Sequence, residues 1–383
     1  MKITQVIPGL GIHSGGPSRS LVSLTEGLRK IGIDSIIVAN DDKTNPMVTS
    51  APWIHAVAYR HNIIGYNPRF RRALEVVESE LFHVHSIYSY STTIAMRVAE
   101  KRGLPFIVSP RGSLLESALS SSSRKLKQVF NEWVLFPDMK KAAAIHATSE
   151  EELSDLLKLG INRPVILIPN SIQLPVAPLR HPRQARFRVG VCGRINPIKN
   201  IDGVLRAWAK AGMGGRDAEL VIIGGAILEK EIVYLDKLHR LENELGIDNV
   251  VWTGPTYGKE KQELFEAFSI LLFASHSENF GMVVPEALSM GIPVIATFGT
   301  PWNALEQTDS GWWIDNSDES ISSALLKAYD LFLHDQDQLY RMGKNGIRLV
   351  KNSFSQEAIA SKWNEVYSWI IDGAERPSFV SMK

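Results

Sequence analysis

At 383 residues the chain exceeds the size at which one hydrophobic core usually keeps growing, so two domains are expected. Its 44% hydrophobic and 22% charged residues are those of a soluble globular protein, and a formal net charge of +1 argues against a general nucleic-acid binder. No run of about 18 apolar residues is available to cross a membrane, the opening Met1–Pro8 is too short and too quickly broken for a signal peptide, and the single cysteine, Cys192, can form no internal disulfide. A cytoplasmic chain is therefore expected. Residues 1–175 carry 20 basic and 15 acidic side chains, the remainder 22 and 26; the basic half could face an anionic acceptor or membrane surface, or simply present solvated helix faces.

Lys2–Ile7 is a strand candidate, followed by a glycine-containing loop, a helical pattern from Ser20 to Lys30 stopped by Gly32, and a second strand from Ser35 to Ala39. This βαβ opening imitates a dinucleotide fingerprint, Gly9-x-Gly11-x-x-Ser14 with Asp34 downstream, which keeps an NAD-linked oxidoreductase as a rival reading. The imitation is imperfect, because Ser14 replaces the third glycine and the helix begins nearer Gly15-Gly16-Pro17-Ser18.

Past a polar stretch from Asp41 to Pro52, Leu81–Ser86 reads as a strand with His83 and His85 near its end, Ser91–Arg102 as a helix, and Leu104–Gly112 as a strand-to-loop turn carrying Arg111. The two histidines are read as structural. Ser123–Phe136 mixes basic and large apolar side chains at helical spacing, as expected of an amphipathic helix on the domain's own core or of one lying at a bilayer interface. Ala142–Ala147, Glu150–Leu159 and Val165–Ile168 read as strand, helix and strand. Residues 174–187, with three prolines and little periodicity, are the linker candidate.

The theme then restarts. Phe187–Val191 is a strand running into the loop Cys192–Asn200, with Cys192 read as a small buried residue, and a helix follows from about Asp202 to Ala211. Further strands are Glu219–Ile223, a run from Val250 ending at Gly254, the apolar run Ile270–Ala274, and Pro293–Thr297. Two helical patterns close the chain: Ile321–Arg341, and Gln356–Ile371 with Ile359, Trp363, Val366, Tyr367 and Ile370 on one stripe. Asp335-Gln336-Asp337 has the form of a metal-holding D-x-D pair but lies within a helical pattern, so it is read as a solvated face and no metal site is assigned.

Most of the chemistry lies in Ser275–Leu288. It follows a buried strand, opens as a loop, and enters a helix whose first turns hold Pro285 and Glu286. Gly281 frees the backbone to approach a ligand, so the amides of residues 281–284 near a helix start are placed for a phosphate. Glu278 and Glu286 flank this turn, each able to meet a sugar hydroxyl. The sequence S-H-S-E-N-F-G-M-V-V-P-E-A-L-S-M-G-I-P-V-I-A resembles the E-x7-E loop of retaining glycosyltransferases of the GT-B fold, family 4 (glycosyltransferase group 1), with Asn279 as the visible departure. Gly193, Arg194, Lys199 and Asn200 match that family's G-R-x-x-x-x-K-[GN] signature.

The resemblance implies an α/β, GT-B architecture: two Rossmann-like domains facing across a central cleft, an acceptor-side domain over 1–175 with the terminal segment 356–383 packed back on it, and a nucleotide-sugar domain over 176–355. It implies retaining transfer from a nucleotide sugar, best taken as UDP-glucose or another UDP-hexose with GDP-sugars open, to a hydroxyl of a polysaccharide or lipid-linked oligosaccharide, with no metal or other cofactor required. Arg194 and Lys199 would stabilise the departing diphosphate, Glu278 would orient the sugar, and Glu286 would bind the ribose. The donor would further contact Gly193, Asn279, Phe280, Gly281, Met282 and Val283, and its base the backbone around Gly254. Gly15 and Gly16 match a Gly-Gly pair that lies under the donor phosphates and near the acceptor. Where several members of the family carry a histidine close to the transferred sugar, this chain has Arg111, a candidate contact to donor or acceptor. A peripheral membrane contact at the inner face is allowed for, and a nucleotide-sugar epimerase on the same fold is the nearest alternative.

Overall fold

The computed structural model describes residues 1–11, 15–43, 45–59, 65–115, 124–175 and 185–382. The chain divides into two compact units, Met1–Gln173 with Phe354–Lys383, and Leu174–Ser353. Most of the proline-rich linker candidate lies outside the described residues.

In the first unit the strands are β1 (Lys2–Gly9), β2 (Asp34–Asp42), β3 (Ile54–Tyr59), β4 (Leu81–His85), β5 (Phe106–Ser109), β6 (Ala144–Ala147) and β7 (Val165–Leu167). The second unit contributes β8 (Phe187–Cys192), β9 (Ala218–Ile223), β10 (Val250–Gly254), β11 (Ile270–Phe273), β12 (Val294–Thr297) and β13 (Gly311–Ile314), and the chain returns to the first with β14 (Val380–Ser381). The first sheet runs β14-β7-β6-β5-β4-β1-β2-β3, parallel except for β14, which pairs antiparallel with β7. The second runs β10-β9-β8-β11-β12-β13, all parallel. Parallel strands covered by helices on both faces must be apolar on both, and Ile270–Phe273 is buried at every position.

Alternation along the first sheet sorts two cores. Val6, Phe82, Val84, Val108 and Ile145 point to the side covered by helices Pro68–Val76 and Tyr90–Lys101. Ile3, Ile7, Leu81, Ile107 and Ala144 point to the other, covered by helices Gly16–Lys30 and Gln356–Asp372. Ile359, Trp363, Val366 and Tyr367 of the terminal helix are all buried there. Gln356 joins the two covering helices, donating to Glu26 Oε2 at 2.9 Å and accepting from Lys30 Nζ at 2.6 Å.

Several elements differ from the sequence reading. β3 escapes it because an edge strand pairing on one side is only half-buried and shows no apolar run. Helix Pro68–Val76 also escapes, although Asn67 caps it by accepting from Arg69 N at 3.1 Å. The pattern Ile321–Arg341 is two helices, Asp318–His334 and Gln336–Ser353. Asp335 lies at the break, extended at φ −147°, and its Oδ1 accepts from Gln338 N at 3.0 Å, so the first acid of the D-x-D pair starts a helix. Cys192, expected to be buried, is half-buried at the end of β8, where the strand runs into its loop.

Candidate nucleotide-sugar site

In each sheet the strand order reverses once, and the crevice at the carboxyl ends of the strands flanking that reversal is where open α/β sheets take ligands. In the second unit the reversal lies between β8 and β11. The Gly193–Lys199 loop leaves β8 there and the Ser275–Glu286 loop leaves β11, so the two stretches singled out by sequence emerge side by side. A pocket opens between them, lined by Cys192, Gly193, Arg194, Lys199, Phe273 and Ser275 among others.

Local chemistry fixes each loop. Asn196 Oδ1 accepts from Ile198 N at 3.1 Å and starts the turn Pro197–Lys199; Asn200, left-handed at φ 53°, then launches helix Ile201–Lys210. His276 N donates to Ile198 O at 2.8 Å, stitching the β11 loop to that turn. Asn316 braces both, accepting from Asn200 Nδ2 and contacting His276 Nδ1, each at 2.8 Å. On the other side Gly193 N donates to Ile223 O at 2.9 Å, and a Cβ on Gly224 would overlap the Gly193 carbonyl.

Lys199 is the meeting point. Its stem lies over Gly193, where an added Cβ would sit 3.3 Å from Cε; its ammonium stands 5.1 Å above the Phe273 ring and pairs with the Glu278 carboxylate. Gly281 is left-handed at φ +78°, and a side chain there would come within 2.6 Å of Phe273 and 3.3 Å of Glu278 Cγ. The acid-flanked turn and the cation-bearing loop therefore close on one place. Arg194 lines the same pocket with an exposed side chain, its Nη1 3.9 Å from Glu231. Burial alone would raise the Glu231 pKa, but the amides of Ile227 and Leu228, with Asn196 and Arg194, hold it below the usual carboxylate range.

Glu286, in helix Val283–Ser289, pairs with Lys261 at 2.5 Å. Each acid of the motif thus has its own lysine, and Lys261 had no signal in sequence because it comes from a separate helix, Gly258–Glu266. Of the four amides expected to face a phosphate, that of Val284 is taken by Gly281 O at 3.0 Å, because the chain is already turning into helix; among the described residues no backbone carbonyl takes those of Gly281, Met282 and Val283. Phe280 is buried against Trp302, whose Nε1 donates to the Phe280 carbonyl at 2.5 Å, so its side chain shapes the loop from beneath. Asn279 is half-buried in the loop. Gly254, left-handed at φ +73°, ends β10, and its carbonyl accepts from Gly224 N at 3.0 Å.

The remaining candidates lie in the first unit. Gly15, at φ +73° with open space where a Cβ would be, precedes helix Gly16–Lys30. Arg111 follows β5, held left-handed at φ 58°; it donates to Ser20 Oγ at 3.2 Å, to Asn170 Oδ1, and to His85 Nδ1 at 2.8 Å. Among the described residues it has no carboxylate ion pair, and burial lowers its pKa to about 10 against the opposing pull of Glu152 and Tyr367. The dinucleotide reading fails here: the helix starts at Gly16, and Asp34 is the first residue of β2, paired with Arg29 at the amino ends of the strands, away from where a ribose would lie. Its Ser14 lies outside the described residues.

A doubly wound sheet with paired cations and carboxylates at its switch point defines a nucleotide-binding enzyme of the GT-B type. Residues 15–171 match the glycosyl transferase 4-like domain, and residues 181–349 the glycosyl transferases group 1. The chain belongs to the group 1 glycosyltransferases and is a glycosyltransferase using a nucleotide-sugar donor. It is 26% identical over 323 residues, 76% of this chain and 79% of the relative, to a D-inositol 3-phosphate glycosyltransferase of Frankia alni. It is 26% identical over 306 residues, 73% and 75% of the two chains, to a GDP-mannose-dependent alpha-mannosyltransferase of Mycobacterium tuberculosis. Among solved structures it superposes on sucrose-phosphate synthase from Thermosynechococcus elongatus with TM-score 0.76 at 19% identity, covering 98% and 100% of the chains. Anabaena HepE in complex with UDP and glucose gives 0.75 at 16%, covering 96% and 99%.

Proposed function

We propose that the protein transfers a hexosyl group, with retention, from a UDP-sugar such as UDP-glucose to a hydroxyl of a polysaccharide or lipid-linked oligosaccharide. The observation that carries the reading is the convergence of Lys199, Glu278 and Gly281 beside Arg194 at the reversal between β8 and β11. An ammonium has three N–H donors. One is given to Glu278, which aims the others at a phosphate while Glu278 turns its second oxygen to the sugar. Cleavage of the anomeric bond develops negative charge on the leaving diphosphate, and Arg194 and Lys199 are fixed cations that stabilise it in place of a metal ion. Amides of Gly281, Met282 and Val283 bind phosphate, Glu286 with Lys261 beside it takes the ribose hydroxyls, and Gly254 faces the base through its backbone. In the first unit Arg111, Gly15 and Gly16 contact donor or acceptor. Retention follows the E-x7-E resemblance, with the acceptor attacking on the face that the leaving group vacates.

Calorimetry against UDP-, GDP- and ADP-sugars and NADH, followed by product analysis with and without a saccharide acceptor, tests the reading. UDP-sugar binding with acceptor-dependent transfer and an unchanged anomeric configuration is expected. Tightest binding of a GDP-sugar, as the name of the mycobacterial relative suggests, would change the donor; turnover without acceptor would point to epimerisation.

The reading extends to a peripheral membrane contact. Val129 and Trp133, four residues apart on the segment from helix Arg124–Phe130 into the π-helical turn Asn131–Leu135, are 58% and 78% exposed beside the exposed Lys125. An exposed tryptophan among lysines suits an anionic lipid surface. No helix among the described residues is long and apolar enough to cross a membrane. Flotation with anionic vesicles, lost on Trp133→Ser, is expected; wild-type protein left at the bottom of the gradient removes the idea.

A further inference from the structure

The face of the first sheet beneath helix Gln356–Asp372 carries polar residues where alternation calls for apolar ones: Gln5 on β1, His83 and His85 on β4, Ser109 on β5 and His146 on β6. All five are at most 2% exposed, as is Tyr367 above them. Polar groups so deeply buried persist only when fully partnered, and these form one continuous chain.

Its direction is dictated independently from each end. At one end Arg111 can only donate, so His85 Nδ1, 2.8 Å from its Nη2, accepts and His85 carries its proton on Nε2. That N–H donates to Gln5 Oε1 at 2.7 Å, and Gln5 Nε2 donates to Tyr367 Oη at 3.2 Å. At the other end the Ile168 carbonyl can only accept, so His146 donates through Nε2 at 2.7 Å and takes the Ser109 hydroxyl proton on Nδ1 at 2.7 Å. Ser109 Oγ must then accept from His83 Nε2 at 2.7 Å, and His83 Nδ1 accepts from the Tyr367 hydroxyl at 2.9 Å. The Tyr367 hydroxyl satisfies both directions, accepting from Gln5 and donating to His83. Every lone pair along the line points towards Arg111, which suits a cation held by neutral acceptors. Protonating His85 would set its Nδ1 proton against the Arg111 donor, and protonating His83 or His146 would take from the Tyr367 or Ser109 hydroxyl its acceptor, in keeping with the depressed pKa of all three, led in each case by burial.

We propose that Tyr367, on the terminal helix, is a positioning residue for Arg111: by accepting from Gln5 it fixes the Gln5 amide, which fixes the His85 tautomer and ring, which sets the aim of the guanidinium. This assignment rests on the reading of Arg111 as a substrate contact, although its structural half does not. Tyr367 is the only member of the chain that belongs to neither the sheet nor its loops, so through it the segment following the second unit sets a side chain of the first.

The test uses the full-length protein. Long-range nitrogen NMR of the imidazoles should show His83, His85 and His146 all as neutral Nε2–H tautomers at pH 7; an Nδ1–H form or a charged ring at any of the three overturns the proposal without any variant. Tyr367→Phe, which keeps the ring stacked on Trp363, should shift the His85 Nδ1 resonance although Tyr367 does not touch His85. An unmoved resonance also overturns it. In sugar transfer, Tyr367→Phe should lower kcat/KM about tenfold in wild type and less than twofold in an Arg111→Ala background; equal losses in both would make Tyr367 merely structural. If Arg111→Ala transfers normally while the His85 resonance still moves, the substrate role of Arg111 fails and the relay stands.

Discussion

Replacing Lys199 by methionine separates its chemical role from its structural one, because the thioether keeps the stem over Gly193 and against Phe273 while removing the charge. The ion pair that is lost is partly screened: the Lys199 and Glu278 side chains are 20% and 24% exposed, so Glu278 can rehydrate and the stability loss should be about 1 kcal/mol. For a unit of this size that lowers Tm by about 2–4 °C. The transition state loses more. A cation about 4 Å from a developing phosphate charge, at an effective dielectric of about 20, contributes about 4 kcal/mol, in line with the roughly 10²- to 10³-fold in kcat that one oxyanion donor supplies. Steady-state nucleotide release at saturating donor, alongside thermal unfolding of the same variant, measures both quantities. A kcat within tenfold of wild type would refute the charge-stabilisation argument. A variant that unfolds before it can be assayed would show that Lys199 is chiefly a strut.

Gly281→Ala places a Cβ 2.6 Å from the Phe273 ring at φ +78°, so overpacking and the left-handed backbone together should cost about 2–4 kcal/mol, read by urea unfolding followed through hydrogen exchange in β11; an unchanged midpoint would contradict the geometry. Gly224→Ala should push the Gly193 carbonyl aside and weaken UDP binding at least about tenfold by calorimetry while the first unit's exchange pattern stays as it was. For pH, the ordinary histidine value of 6.5 is depressed by burial at His83, His85 and His146, the last to about 3. The unfolded chain therefore binds protons that the folded chain refuses. The stability these residues contribute is full above pH 6.5 and falls as pH drops below it, by about 1.4 kcal/mol per pH unit per histidine. Denaturant titrations at pH 7, 6 and 5, followed at β4 and β5 amides, should show that decline; a flat profile would mean that the cluster is already charged when folded.

The alternation of apolar runs with helical periods made most strands of both sheets legible, because parallel strands buried on two faces leave a plain signature in sequence. Ile270–Phe273 and Phe187–Cys192 are of that kind. Among the edge strands β10 is legible, whereas β3 and β13 emerge only once a neighbour supplies their hydrogen bonds. At the site, the acid-flanked turn and the Gly193–Lys199 loop could be read as motifs, since each is local in the chain. That Lys199 faces Glu278 could not, nor that Lys261 holds Glu286, because 79 and 25 residues separate the partners and only the sheet order brings them together. The same holds for His83 and His85. Sequence marks them as polar residues in a strand, but which nitrogen carries each proton depends on Arg111 and Gln5 for His85 and on Ser109 and Tyr367 for His83, all from distant segments. Local composition thus determined the elements and the chemistry they carry, whereas strand order, a global compromise among packing faces, decided which charges meet.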